Sequence, residues 1–245
     1  MKRSALAISA LSVAVLTGLT ACGSGDGDSE TDAADKPGAK ATASRAKEVS
    51  PAERLAKLVI GKADVKGYEV EEPADDEEFI FAKSQDEVTL DKKVCAPLAY
   101  AMNQLPLGDS QADLTRTASK NGLVNGFTYV TLTAYGDGKA ESAMAGLSKA
   151  VDSCGNGFTA KANGNTSPYD SVTAEQTAKA GDESLAFNST MTFRGTTHTV
   201  HSAAVRRDNV IAVYFAVNGR AIAESRPSDT RVPTIVIDAQ NAKLG

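Results

Sequence analysis

The pattern of hydrophobic and polar positions divides the chain into three parts. Residues 5–19 (ALAISALSVAVLTGL) form an uncharged apolar run behind Lys2 and Arg3. Residues 23–49 carry no apolar period and no aromatic residue. From Ser50 onward, short apolar faces recur at helical and strand spacing. Residues 50–245 are enough for one sizeable core.

Within that third part, Ser50-Pro51-Ala52-Glu53 reads as a capping box with proline in the first turn. The helix it starts carries Leu55, Leu58 and Val59 and stops near Gly61. Residues 63–68 form a turn into an extended segment, and Phe79-Ile80-Phe81 reads as a short strand. Cys95-Ala96-Pro97-Leu98 opens a second helix, with Leu98, Ala101, Met102 and Leu105 on one face. Residues 126–135 (GFTYVTLTAY) alternate and predict a strand. A third helix starts at Asp137 or Gly138 and runs to about Cys154, with Met144, Leu147, Val151 and Cys154 on its apolar face. From Val172 the chain turns strand-rich. Residues 183–193, 196–205 and 210–217 read as strands joined by Arg194-Gly195 and Arg207-Asp208-Asn209, which predicts an antiparallel meander. At the end, Thr234-Ile235-Val236-Ile237 is strand-like by propensity. Pro233 as a first helical residue, with Ala239 and Ala242 in register, favours a closing helix instead. Runs of helices and runs of strands give an α+β fold: a single antiparallel sheet flanked by helices, preceded by a signal peptide and a disordered tether.

The apolar run at residues 5–19 is shorter than the roughly 20 residues a spanning helix needs. With its two leading charges it has the form of a secretory signal. Leu19-Thr20-Ala21-Cys22 resembles a bacterial lipobox: apolar, small, small, cysteine. That resemblance implies cleavage between Ala21 and Cys22 and a thioether-linked diacylglycerol on Cys22. Two acyl chains hold a protein stably at a membrane where one does not. The expected organisation is a signal peptide at 1–21, a lipidated cysteine and flexible tether at 22–49, and an extracytoplasmic domain at 50–245. The tether is rich in Gly, Ser, Asp, Ala and Thr and cannot bury enough apolar surface to offset its ordering entropy. Asp26-Gly27-Asp28 looks like a fragment of a calcium loop but lacks the other spaced ligands and the closing glutamate.

Charge narrows the partners. The chain has 26 basic and 31 acidic residues, a net charge of −5, and loss of Lys2 and Arg3 with the leader takes it to −7. No basic stretch exists to hold nucleic acid or to bind a membrane electrostatically. There is no tryptophan, which argues against stacking platforms for sugars or bases. The acidic residues at 71–78 read as a solvated loop.

Cysteine usage points to an oxidising compartment. With Cys22 taken by lipid, Cys95 and Cys154 remain and are expected to pair. Two buried free thiols are the alternative. Neither cysteine has a histidine partner nearby in sequence, so a catalytic thiol is not expected.

Several short motifs then add up to a resemblance. They are Asp64-Val65-Lys66-Gly67-Tyr68 after the first helix, Cys95-Ala96-Pro97-Leu98, Gly181-Asp182-Glu183 before a strand, the segment at 205–210 (VRRDNV) and the segment at 240–244 (QNAKL). With them the chain resembles actinobacterial lipoproteins related to the extracellular sensor domain of the mycobacterial kinase PknH, over most of residues 51–245. The resemblance implies a central antiparallel sheet between helices, a cleft for a small ligand, and no enzyme activity. The chain departs from that family in offering only one disulfide and no tryptophan, and in showing neither a kinase domain nor a transmembrane helix.

A search for chemistry returns little. Gly146-Leu147-Ser148-Lys149-Ala150 approaches the hydrolase elbow G-x-S-x-G, but it ends in alanine and falls within a helix. Ser44-Arg45-Ala46-Lys47 matches S-x-x-K within the tether. His198 and His201 are the only histidines. Three residues apart on a strand, they point to opposite faces and cannot chelate one metal by themselves. No zinc spacing, phosphate loop or dinucleotide motif is present, so no cofactor is expected. The expectation is a lipid-anchored protein at the extracytoplasmic face of the cell membrane. Its domain binds a small, apolar-type molecule; the alternative is a structural or docking module for another envelope protein. A third possibility, an enzyme with dispersed catalytic residues, would need clustered carboxylates or a histidine in a deep pocket.

Overall fold

The computed structural model describes residues 49–73, 81–121 and 126–245. The chain divides into two units, Met1–Ala46 and Lys47–Gly245, and all described residues belong to the second. Ala21, Cys22, the tether up to Glu48 and residues 74–80 lie outside them, as do the leader, Asp26, Asp28 and Ser44 to Lys47.

The elements are α1 (Pro51–Leu58), β1 (Glu69–Glu71), β2 (Thr89–Leu90), α2 (Ala96–Ala101), β3 (Ala112–Ser119), β4 (Phe127–Ala134), α3 (Lys139–Ser153), β5 (Phe158–Ala162), β6 (Asn165–Glu175), β7 (Glu183–Phe193), β8 (Thr196–Arg207), β9 (Val210–Val217), α4 (Gly219–Ala223), β10 (Ser228–Thr230) and α5 (Thr234–Leu244). The expected α+β class holds. Among the described residues, nine strands follow one another in one sheet in the order β1-β3-β4-β9-β8-β7-β6-β5-β2, with neighbours antiparallel. The tenth, β10, pairs with β8 in parallel and is the exception to the expected antiparallel sheet.

Both faces of the sheet are covered. On one, Leu98, Met144, Leu147 and Val151 from α2 and α3 pack on Tyr129, Phe187, Ile211, Val213 and Phe215. On the other, Leu55 and Ile60 at α1 and Val236 from α5 pack on Val130, Leu132, Ala212 and Tyr214. This explains why β9 (VIAVYFAV) reads as a continuous apolar run: a strand buried on both faces has no solvent side to alternate with.

The capping box at the start of α1 is realised as read. Ser50 Oγ accepts the Glu53 amide at 3.2 Å while Glu53 returns to the Ser50 amide at 2.9 Å. Cys95 and Cys154 form a disulfide with Cα atoms 6.0 Å apart, and both are fully buried under α2 and α3.

Other expectations are corrected. The second helix ends at Ala101, short of Leu105, because Asn103 Nδ2 donates to the Ala99 carbonyl at 2.5 Å and Gln104 takes φ 59°. Phe81 is not in a strand, and the other two residues of that candidate lie outside the described set. Pro233 is the N-cap of α5 rather than its first residue. The strand-rich region starts at Phe158, not Val172. Its first hairpin turns at Asn163-Gly164, both at positive φ (50° and 76°), the signature of a two-residue hairpin turn.

Candidate functional site

The motifs that carry the family resemblance turn out to be joints of the fold. Asp64 accepts the Gly61 amide at 2.7 Å and Lys243 Nζ at 3.1 Å, and both bonds hold its carboxyl below the ordinary value. Gln240, fully buried, accepts the Ile60 amide at 3.0 Å and donates to the Leu58 carbonyl at 2.8 Å, so α5 caps the end of α1. Asp182 accepts the Asp208 amide at 2.7 Å, and Arg206 reaches Glu141, Asp182 and Glu183 at 3.2–3.5 Å. Gly181 must be glycine: at φ +59° a Cβ would lie 2.2 Å from the Arg206 carbonyl oxygen.

Ser148 sits half-buried on α3, without the strand-to-helix turn a nucleophile elbow needs. The acidic stretch contributes a salt bridge from Glu72 to Arg116 at 2.7 Å on the described side of its boundary.

The two histidines face opposite sides of β8, as their spacing predicts, and both are buried. Their partners come from distant strands. His198 is paired with Ser228 across the parallel ladder, and its Nδ1 lies 2.9 Å from Ser228 Oγ. Its Nε2 is buried without a hydrogen-bond partner. Burial, which disfavours the charged form, holds this ring below the ordinary 6.5. The sign follows directly. Below 6.5 the unfolded chain takes a proton that folded His198 resists, so its stability contribution is present above 6.5 and lost as pH falls through the lowered folded value. Read as the difference between the unmodified chain and His198→Gln in urea unfolding between about pH 5 and 7.5, this contribution should therefore fall on the acid side, by up to ~1.4 kcal/mol per pH unit. His198→Gln is expected to flatten that acid limb; an unchanged slope would refute the assignment.

On the other face of β8, His201 joins three strands. Its Nδ1 lies 2.9 Å from Glu175 Oε2 on β6, and its Nε2 bonds Asp229 Oδ1 on β10. Glu175 also accepts Asn188 Nδ2 at 3.0 Å and has Arg231 at 3.6 Å. Burial pushes the Glu175 carboxyl up, but the bonds from His201 and Asn188 and the charges of His201 and Arg231 outweigh it, so it sits below the ordinary value. The two ring nitrogens point apart, so the carboxylates do not converge on one point. Among the described residues no cluster of His, Cys, Asp and Glu is set to hold a metal. Sequence reading placed the two histidines on opposite faces but missed Glu175, Asn188, Asp229 and Arg231. No local signal links His201 to side chains 26 and 28 positions away.

Beside this cluster, Thr230, Arg231 and Pro233 line a hollow of about 40 Å³ against Tyr68, Ala118 and Thr128. A second, open hollow of about 200 Å³ lies at the β5–β6 turn among Glu87, Lys161, Asn163 and Asn165. Both are smaller than the roughly 300–1,000 Å³ of small-molecule pockets.

The fold thus defines a class, a single large sheet between two helical layers. No family model matches the chain, and no curated protein matches it in sequence. Among solved structures, the extracellular domain of PknH from Mycobacterium tuberculosis is similar, with a TM-score of 0.50 at 14% identity. The match covers 78% of this chain and 93% of that one. At that identity the likeness is one of fold.

Proposed function

We propose that the chain is a lipid-anchored lipoprotein of the extracytoplasmic membrane face, whose domain is a sensor-like binding module rather than an enzyme. The observation that carries the reading is the union, in one chain, of the lipobox at residues 19–22 and a disulfide-closed domain with the fold of an extracellular domain. The lipid on Cys22 provides the membrane contact, since an acidic chain has no electrostatic hold on an anionic surface. The ligand is a small, apolar-type molecule held by the domain. A second reading, docking of another envelope protein, is favoured by the small volume of the two hollows, about 200 and 40 Å³.

Two experiments test these readings. Cys22→Ala should move the protein out of the membrane fraction after a carbonate wash; continued retention would overturn the anchor. Native mass spectrometry of the domain from Ser50, secreted and purified gently, separates the two ligand readings. A discrete added mass lost on denaturation supports a bound small molecule. A bare mass supports docking, and crosslinking on intact cells then identifies the partner.

A further inference from the structure

The cluster around His201 sits where β10 meets the sheet. β9 is in register with β8 only from Ser202 to Arg207, and β10 takes the next stretch, Ser228 to Thr230 against His198 to Val200. Side-chain bonds add to this three-residue ladder. Ser228 bonds His198 on one face, Asp229 bonds His201 on the other, and Thr196 Oγ1 donates to the Ser225 carbonyl at 3.1 Å just before the strand.

We propose that β10 is a protonation-dependent clasp. With both ring nitrogens protonated, His201 ties Glu175 on β6 to Asp229 on β10; loss of one ring proton to solvent frees Asp229 and loosens β10 from β8.

Hydrogen-bond inventory gives the logic. Ionised carboxylates only accept, so an imidazole between two of them satisfies both only when both nitrogens carry hydrogen. A neutral ring keeps one N–H and must leave one carboxylate unbonded. The two carboxylates differ in what that costs. Glu175 is 21% exposed, while Asp229 is 64% exposed and can take up water at once. The remaining proton therefore stays on the Glu175 side. The groups facing the ring from each neighbouring strand are Glu175 on β6, Asn188 on β7 and Asp229 on β10. Arg231, following β10, adds its charge beside Glu175. Asn188 and Arg231 further hold Glu175 in place, which again directs release to Asp229. His198 faces the other side of β8 and remains attached to Ser228.

Hydrogen exchange on the full chain tests this, with rates corrected for the intrinsic effect of pH. The comparison runs across the pH range over which NMR shifts of the ring show His201 losing a proton. As pH rises across that range, protection of Ser228, Asp229 and Thr230 should fall about tenfold, the scale of one charge-assisted hydrogen bond. Protection of the central strands β4 and β9 should not follow. In His201→Gln, β10 should exchange fast at every pH. Asp229→Asn, at an exposed position, should be pH-independent, because an amide can donate to or accept from the ring in either state. Equal protection of β10 at both ends of the range in the unmodified chain would overturn the clasp. So would an undiminished pH response in Asp229→Asn, which answers even if His201→Gln fails to fold.

Discussion

Replacing Cys95 and Cys154 together by alanine is expected to destabilise the domain by about 4 kcal/mol. The disulfide joins residues 59 apart in sequence. By the chain-entropy argument, opening a loop of that size returns roughly 4 kcal/mol of freedom to the unfolded chain. Both cysteines are fully buried, so alanine also leaves a small void between α2 and α3. For a domain of this size, about 4 kcal/mol corresponds to a fall in melting temperature of roughly 8–16 °C. Urea unfolding of the double variant checks the value, and a loss below about 1 kcal/mol would contradict it. Thiol labelling without reduction should leave both positions unmodified. The double replacement is the informative one, because a single change would leave a buried free thiol.

Gln240→Met is expected to cost about 2–6 kcal/mol, from leaving one buried and one part-buried backbone group unpaired. The side chains are similar in volume, so packing should change little, whereas the Ile60 amide and Leu58 carbonyl both lose their partners. An unmet buried donor or acceptor costs about 1–3 kcal/mol each. The change should also raise hydrogen exchange at the Ile60 amide, far from α5 in sequence but bonded to it in space. A variant within about 0.5 kcal/mol of the original would show that the Gln240 bonds do not hold α5 to α1.

Parts of this architecture were legible from the chain because their signals are local. The capping box at Ser50 and Glu53, the apolar face of α3 and the turns that separate β7, β8 and β9 each lie within a few residues. Strands β1, β2 and β10, of two or three residues, carry no pattern long enough to read. β3 (ADLTRTAS) is weak by propensity and exists because β4 offers it eight register partners. The Asn163-Gly164 turn was a readable hairpin signal, and recognising it would have placed β5 and β6.

The candidate site was much less legible than the fold. Its central residue could be assigned to a face, but its partners belong to β6, β7 and β10, and nothing in the local sequence of any of them specifies the meeting. The family-like motifs were readable and pointed elsewhere. Asp64, Asp182, Arg206 and Gln240 fasten turns and helix ends to each other.

By itself, the sequence determined the capped start of α1, the meander of β7, β8 and β9, the cysteine pair available to bond, and the opposite facing of His198 and His201. All of these follow from periodicity, capping and turn chemistry acting over short spans. Only the tertiary structure decided that β4 lies beside β9, that β10 runs parallel to β8, that Gln240 closes α1, and that His201 stands between two carboxylates. Those arrangements depend on which buried surfaces and polar groups meet once the chain is compact. A buried polar group is fixed by the partner that satisfies it, wherever in the chain that partner lies.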